Sequence, residues 1–213
     1  QGVPPSLFGG ESMHWAVAVT TTPRPVSTLD RTLAGLHRAG WDRCEVVEDT
    51  SRAGAWPTWL RALRQLIETH PHADALLLCQ DDALFCRGLR GYLERTLWPG
   101  DRVALCSPYC PAVYRSERQG WHREDRGWLL IGAVCWAIPR TAAETILEDL
   151  GGRKAQKHID AHVGRWARET GGSIWYHTPS LVQHAADDNS TLGYASEPRL
   201  RTAGDFITEE VSP

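Results

Sequence analysis

The apolar run ALLLC, residues 75–79, ends in Gln80-Asp81-Asp82. Two adjacent carboxylates repel each other and lose hydration when buried, so the pair needs a cation or several hydrogen-bond donors beside it. A helix N-terminus would supply the donors and make an aspartate its cap. A divalent ion on a diphosphate would supply the cation, because Mg²⁺ and Mn²⁺ take one or two carboxylates along with phosphate oxygens and waters. Much later in the chain, the segment PSLVQH ends in His184, ahead of Asp187-Asp188-Asn189. A neutral imidazole there could complete a carboxylate metal site or be purely structural. Asp187 and Asp188 read as loop-shaping residues.

Other polar groups sit where apolar runs stop. Thr20, Thr21 and Thr22 follow WAVAV, with Arg24 close behind. Arg24 could offset phosphate charge or lie in a solvated turn. Asp49 closes a second apolar run, and Arg52 in TSRAGAW could reach a phosphate. Gly132 and Ala133 interrupt GWLLIGAVCWAIPR, where small residues permit close approach of a ligand or simply satisfy strand packing. His158 and His162 have the i, i+4 spacing of a zinc pair, but no HExxH pattern surrounds them, so they read as flanking residues. The charged segment 115–127 reads as a mobile loop, flanked by Trp121 and Trp128, which could stack on a sugar or anchor a lid.

Positioning these groups requires alternating strands and helices. Strands are expected at 15–19, 44–47, 75–79, 103–106, 129–138 and 173–177, from short apolar runs. Leu29, Leu33 and Leu36 predict a helix that Gly40 ends, and Trp59, Leu63, Leu66 and Ile67 predict a second. Further helices are expected over 89–97, after Thr141, and around Ile159, Val163 and Trp166. The β-α-β-α-β order implies an α/β fold with a mostly parallel central sheet flanked by helices. Such sheets bind ligands outside the carboxyl ends of their strands, where Thr20, Asp49 and Asp81-Asp82 fall. No GxGxxG or GxxxxGK[ST] motif occurs, which disfavours a dinucleotide enzyme or a P-loop ATPase.

The length of 213 residues suits one domain, expected over 13–213. Residues 1–12, QGVPPSLFGGES, read as the remnant of an expression tag ahead of Met13. A net charge of -3 excludes a global positive field that would draw the chain to nucleic acid. No apolar run approaches the ~18 residues of a membrane span. The six cysteines form no CxxC pair and several lie in apolar runs, so they read as reduced structural thiols of a cytoplasmic protein.

Taken together, the xDD triplet after the third strand and the later PSLVQH segment resemble GT-A glycosyltransferases. The likeness is to N-acetylglucosaminyltransferase IV-like and I-like catalytic domains, by motif order from Met13 to about Leu192. The triplet here begins with Gln80 rather than an acid. The resemblance implies a GT-A type Rossmann-like nucleotide-sugar fold and inverting transfer of a hexose or N-acetylhexosamine from a UDP-sugar, with Mn²⁺ or Mg²⁺. It implies that Asp82 and His184 ligate the metal and that Asp81 reaches the ribose or a metal-bound water. Thr20, Thr21, Thr22, Arg24 and Asp49 would hold the nucleotide, Asp49 by accepting from the uracil N–H. Asp160, in KHIDAHVGRW, matches the general base by order, although a carboxylate at a helix start also suits the helix dipole. The acceptor could be a glycan, a lipid-linked sugar, a protein, a small molecule or modified DNA. A nucleotidyltransferase and a non-catalytic nucleotide-sugar-binding module are the alternatives.

Overall fold

A computed structural model describes residues 13–124, 130–153, 158–185 and 202–208. Its strands are β1 (Trp15–Thr21), β2 (Glu45–Glu48), β3 (Ala75–Gln80), β4 (Ala83–Phe85), β5 (Val103–Ser107), β6 (Gly120–Arg123), β7 (Cys135–Pro139), β8 (Ser173–Thr178) and β9 (Val182–His184). Its helices are α1 (Leu29–Ala39), α2 (Ala55–Thr69), α3 (Leu89–Thr96), α4 (Arg140–Leu150) and α5 (Ile159–Thr170). Seven strands form one sheet in the order β2-β1-β3-β7-β5-β8-β6, and β4 pairs with β9 in a second, small one. In the large sheet β2, β1, β3, β5 and β8 point one way, while β7 and β6 run against them. β1 lies between β2 and β3, so the chain reverses its winding direction there. That switch opens a crevice at the carboxyl ends of β1 and β3.

Strand alternation sends successive residues to opposite faces. Leu76 and Leu78 of β3 join a core with Trp56, Trp59, Leu63, Ile146 and Trp166, under α2, α4 and α5. Leu77 and Cys79 face the other way, toward Leu36, Leu89 and Leu93 of α1 and α3. Nine of the ten tryptophans fall among the described residues, and each is buried or half-buried. None of the six cysteines forms a disulfide, and all but Cys44 are buried. No described helix is long and apolar enough to cross a membrane.

Two expectations change. The apolar run 129–138 is not one strand: β7 begins only at Cys135. Gly132 adopts φ 85°, a left-handed conformation that breaks an extended run. The charged segment 115–127 is not a continuous loop, since β6 lies within it and pairs antiparallel with β8 at the sheet edge. Charged residues are usual on such an edge, where they block further strand pairing. Residues 125–127 and Trp128 lie outside the described residues, as do 1–12 and Asp187-Asp188. Trp121 is committed to the fold. Its indole donates to Thr96 Oγ1 at 3.1 Å, and its ring meets His177 edge-on at 5.0 Å.

His177 of β8 is 1% exposed. Its Nδ1–H donates to the Pro179 carbonyl at 2.7 Å, so neutral Nε2 accepts from the Tyr92 hydroxyl at 2.6 Å. Burial pushes its pKa from 6.5 down to about 4, with His122 adding repulsion, against the opposing pull of the Pro179 carbonyl and Asp205. Between those values the unfolded chain binds a proton that the folded chain does not. Stability from this residue is therefore complete above 6.5 and is lost as pH falls toward 4. The loss should amount to about 3 kcal/mol. In urea melts across that window, the stability difference between the native sequence and His177→Gln should shrink as the pH is lowered. A difference independent of pH would reject a neutral His177.

Candidate functional site

β3 ends at Gln80, and Asp81-Asp82 form the turn into β4. β4 pairs antiparallel with β9, with Ala83 opposite His184. This register sets Asp82 beside His184, with Oδ2 3.2 Å from Nε2. The Ala185 N–H donates to the Asp82 carbonyl at 2.8 Å and fixes the turn against β9. Asp82 Oδ1 and His184 Nδ1 are both buried and have no hydrogen-bond partner. A buried polar atom left unpaired costs about 1–3 kcal/mol, so two in one spot point to a group that satisfies them. One carboxylate and one imidazole suit a divalent ion that takes its other ligands from phosphates and water. Among the described residues no group of three or more His, Cys, Asp or Glu side chains gathers to hold a metal alone.

Asp81 has different company. It is 3% exposed, and both of its oxygens are taken. The Thr21 hydroxyl donates to Oδ2 at 2.5 Å, and Arg24 Nη2 donates to Oδ1 at 2.5 Å. Its N–H donates to the Thr20 carbonyl at 3.1 Å. The buried Thr32 hydroxyl lies 2.7 Å from the Asp81 carbonyl and 3.0 Å from that of Ala83. Burial raises the Asp81 pKa, with Asp82 adding to the effect, while Thr21 and Arg24 pull it back. The structure thus brings Thr21, Arg24 and Asp81 together. It gives the expected ribose contact, Asp81, and the expected phosphate contact, Arg24, to each other. Arg24 Nε is buried without a partner.

The remaining strand-end groups also have local work. Thr20 Oγ1 donates to the Cys79 carbonyl at 3.3 Å, and Thr22 stands half-buried beside it. Asp49 is 5% exposed and accepts the Ala53 and Gly54 N–H groups, each at 2.8 Å. It closes the turn that starts α2, and its own N–H donates to Thr21, binding this turn to β1. Arg52 is exposed in the same turn, at φ 55°.

Asp160 stands in the first turn of α5, half-buried. Its Oδ2 accepts the Gly132 N–H at 3.1 Å and its Oδ1 the Ala161 N–H at 2.9 Å. The Gly132 carbonyl in turn accepts from the Trp136 indole at 3.1 Å. Two residues on, the Val134 carbonyl accepts the Gln80 N–H at 2.9 Å. The Gly132-Ala133 segment therefore connects Asp160 to the strand that carries Asp81 and Asp82. The His162 ring stacks on Trp56 with centroids 4.5 Å apart, inside the core, whereas His158 is exposed just ahead of α5.

Sequence reasoning passed over Thr32 and Tyr109. The buried stripe of α1 is Thr32, Gly35, Leu36 and Ala39, a phase in which one hydroxyl sits among apolar neighbours. A threonine there must find a backbone partner, and that was the available signal. Tyr109 matters through Gly132, where an added Cβ would lie 2.4 Å from its ring. Gly132→Ala, at φ 85°, should therefore lose about 1–3 kcal/mol in urea melts. Gly152→Ala, whose Cβ would meet nothing within 4 Å, is the control and should be near neutral. Equal losses in both variants would reject the close approach at Gly132.

No protein-family profile matches the chain, and no curated protein matches it in sequence. Among solved structures, it is similar to a glycosyltransferase involved in the glycosylation of the major capsid of PBCV-1. The TM-score is 0.52 at 10% identity, over 83% of this chain and 98% of that one. A Drosophila β1,4-galactosyltransferase 7 variant in complex with manganese, UDP-Gal and xylobiose gives a TM-score of 0.48 at 12% identity, over 82% and 72% of the two chains. The inositol-1-phosphate CTP transferase from T. maritima gives 0.40 at 10% identity, over 78% and 86%. At such identities the first likeness speaks for the fold, and the last two carry no weight. The architecture, a seven-stranded central sheet flanked by helices and entered through a β-α-β-α-β unit, is an α/β fold of the GT-A, Rossmann-like type.

Proposed function

We propose that this chain is a metal-dependent glycosyltransferase. It moves a hexose or N-acetylhexosamine from a UDP-sugar to a hydroxyl acceptor, with inversion at the anomeric carbon. The observation that carries this reading is the Asp82–His184 pair, half-buried at the carboxyl end of β3 with a buried, unpartnered atom on each side chain. The shared fold with a glycosyltransferase supports it. Asp82 and His184 would hold Mn²⁺ or Mg²⁺. Such an ion offsets the charge that grows on a departing diphosphate.

The chain's own residues supply the rest. Thr20, Thr22 and Arg52 stand at the ends of β1 and β2, where a nucleoside diphosphate would rest. Asp49 Oδ1 accepts from the Ala53 N–H and the Ser51 hydroxyl and Oδ2 from the Gly54 N–H alone, which leaves a lone pair on Oδ2 for a nucleobase N–H. Asp160 is oriented by the Gly132 and Ala161 N–H groups, and its remaining lone pairs are free to take a proton. In the reaction the acceptor hydroxyl gives its proton to Asp160, and its oxygen bonds to the anomeric carbon. The bond from that carbon to the diphosphate breaks on the opposite face. Gly132 and Ala133, both half-buried, would line the sugar's place beside that carboxylate. None of the six cysteines is in a disulfide, which suits a reducing compartment and supports a cytoplasmic enzyme.

A thermal-shift screen of UDP- and GDP-sugars with and without Mn²⁺ tests this reading. The melting temperature should rise with a UDP-sugar and metal together, as about 2.7 kcal/mol of stabilisation at a hundredfold excess over Kd. No rise with any donor would overturn the proposal. Asp82→Asn should abolish the rise. Asp160→Asn should keep it, yet release UDP from the matching donor about a hundredfold more slowly. Normal release by Asp160→Asn would move the base elsewhere.

A further inference from the structure

We infer that Arg24 governs how this site takes its cation. By holding Asp81 it leaves Asp82 as the one carboxylate of this turn available to the ion, so that the cation binds weakly alone and tightly with a diphosphate. The inference rests on the reading of Asp82 and His184 as the metal pair.

The two aspartates are neighbours in sequence but have opposite partners. Asp81 is held by Thr21 and Arg24, from β1 and the segment that follows it. Asp82 is held against His184 and Ala185, at the end of β9. The Arg24 and Asp81 side chains are only 12% and 4% exposed, so solvent screens their charges poorly. With Gln80 neutral and Asp81 matched by Arg24, the turn keeps a single unmatched negative charge, that of Asp82. A cation there meets one carboxylate and one imidazole, with a guanidinium fixed on the neighbouring residue. Two protein donors fall well short of the six oxygens that Mg²⁺ or Mn²⁺ prefers. A diphosphate brings oxygens and negative charge, and Arg24, which repels the bare cation, attracts that anion. Arg24 Nε, buried and unpartnered, is an unused donor at the same turn. Cation and diphosphate must then raise each other's affinity by the same factor. Arg24 acts here through Asp81, as a positioning residue, and ligates nothing itself.

Mn²⁺ titrations of the full chain, read by electron paramagnetic resonance of the free ion with and without UDP, test this without any turnover. In the native sequence UDP should tighten Mn²⁺ by about tenfold or more. Asp82→Asn should abolish Mn²⁺ uptake, whereas Asp81→Asn should leave the UDP-assisted affinity within about threefold. Arg24→Gln should bind Mn²⁺ alone several-fold more tightly and gain less from UDP, and Arg24→Lys should retain the native coupling. Should Arg24→Gln fail to fold, the neutral pair Arg24→Gln with Asp81→Asn should match the native affinity for Mn²⁺ alone. Loss of binding in Asp81→Asn as complete as in Asp82→Asn would make Asp81 a ligand and overturn the inference. So would an Arg24→Gln or double variant whose Mn²⁺ affinities depart from these directions. If the native protein takes up Mn²⁺ neither with nor without UDP, the glycosyltransferase reading falls, and this inference with it.

Discussion

A carboxylate buried at the end of β3 is the constraint around which this molecule is arranged. Asp81 follows a strand whose first five residues are buried, and is itself buried, so its charge must be met by protein. The surroundings supply Arg24, the Thr21 hydroxyl and, for the backbone, Thr20 and Thr32. Those partners come from β1, from the segment after it and from α1. Satisfying one charge thus draws three parts of the chain around a single turn. The stiffness this confers passes to Asp82, the next residue, whose side chain is free to face β9.

The second half of the site is organised by backbone rather than by charge. Gly132 departs from extended geometry, and the N–H it presents is taken by Asp160. Its carbonyl is taken by Trp136, and Val134 then rejoins Gln80. A kink that ends an apolar run early is therefore what ties the start of α5 to the sheet. The two halves meet at the carboxyl ends of the strands, where a doubly wound sheet leaves its crevice. The wide groove lined by Trp15, Trp41 and His70 lies at the other end of β1 and takes no part.

Much of this was legible in the residues. β1, β3, β5 and β8 are short apolar runs bounded by polar residues, and each forms close to where that pattern places it. The helices follow the same logic, though the buried phase of α1 runs through Thr32 and Leu36 rather than through its leucines alone. β4 and β9, with three residues each, are too short to show any period. β6 hides because an edge strand is written in polar residues. The pairing of Asp82 with His184 followed from motif order, and the ladder that achieves it did not. The roles of Arg24 and Asp81 were the least readable, because each depends on the other and nothing local records their meeting. Asp49 carried a local signal, since an aspartate a few residues before a glycine at a helix start can close that turn.

The β4–β9 ladder has a bearing on how the molecule comes into being. A ribosome delivers β1, α1, β2, α2 and β3 first, and their contacts are among neighbours in the chain order. The Asp81 turn can thus be sealed while β5 to β9 are still unmade. His184 is synthesised well after Asp82, and the strand that carries it must return to one laid down much earlier. Contacts so far apart in sequence close slowly and late. A chain stalled before β9 would hold a well-formed scaffold without the side chain that meets Asp82. The activity proposed for this protein would then be withheld until β9 has been made.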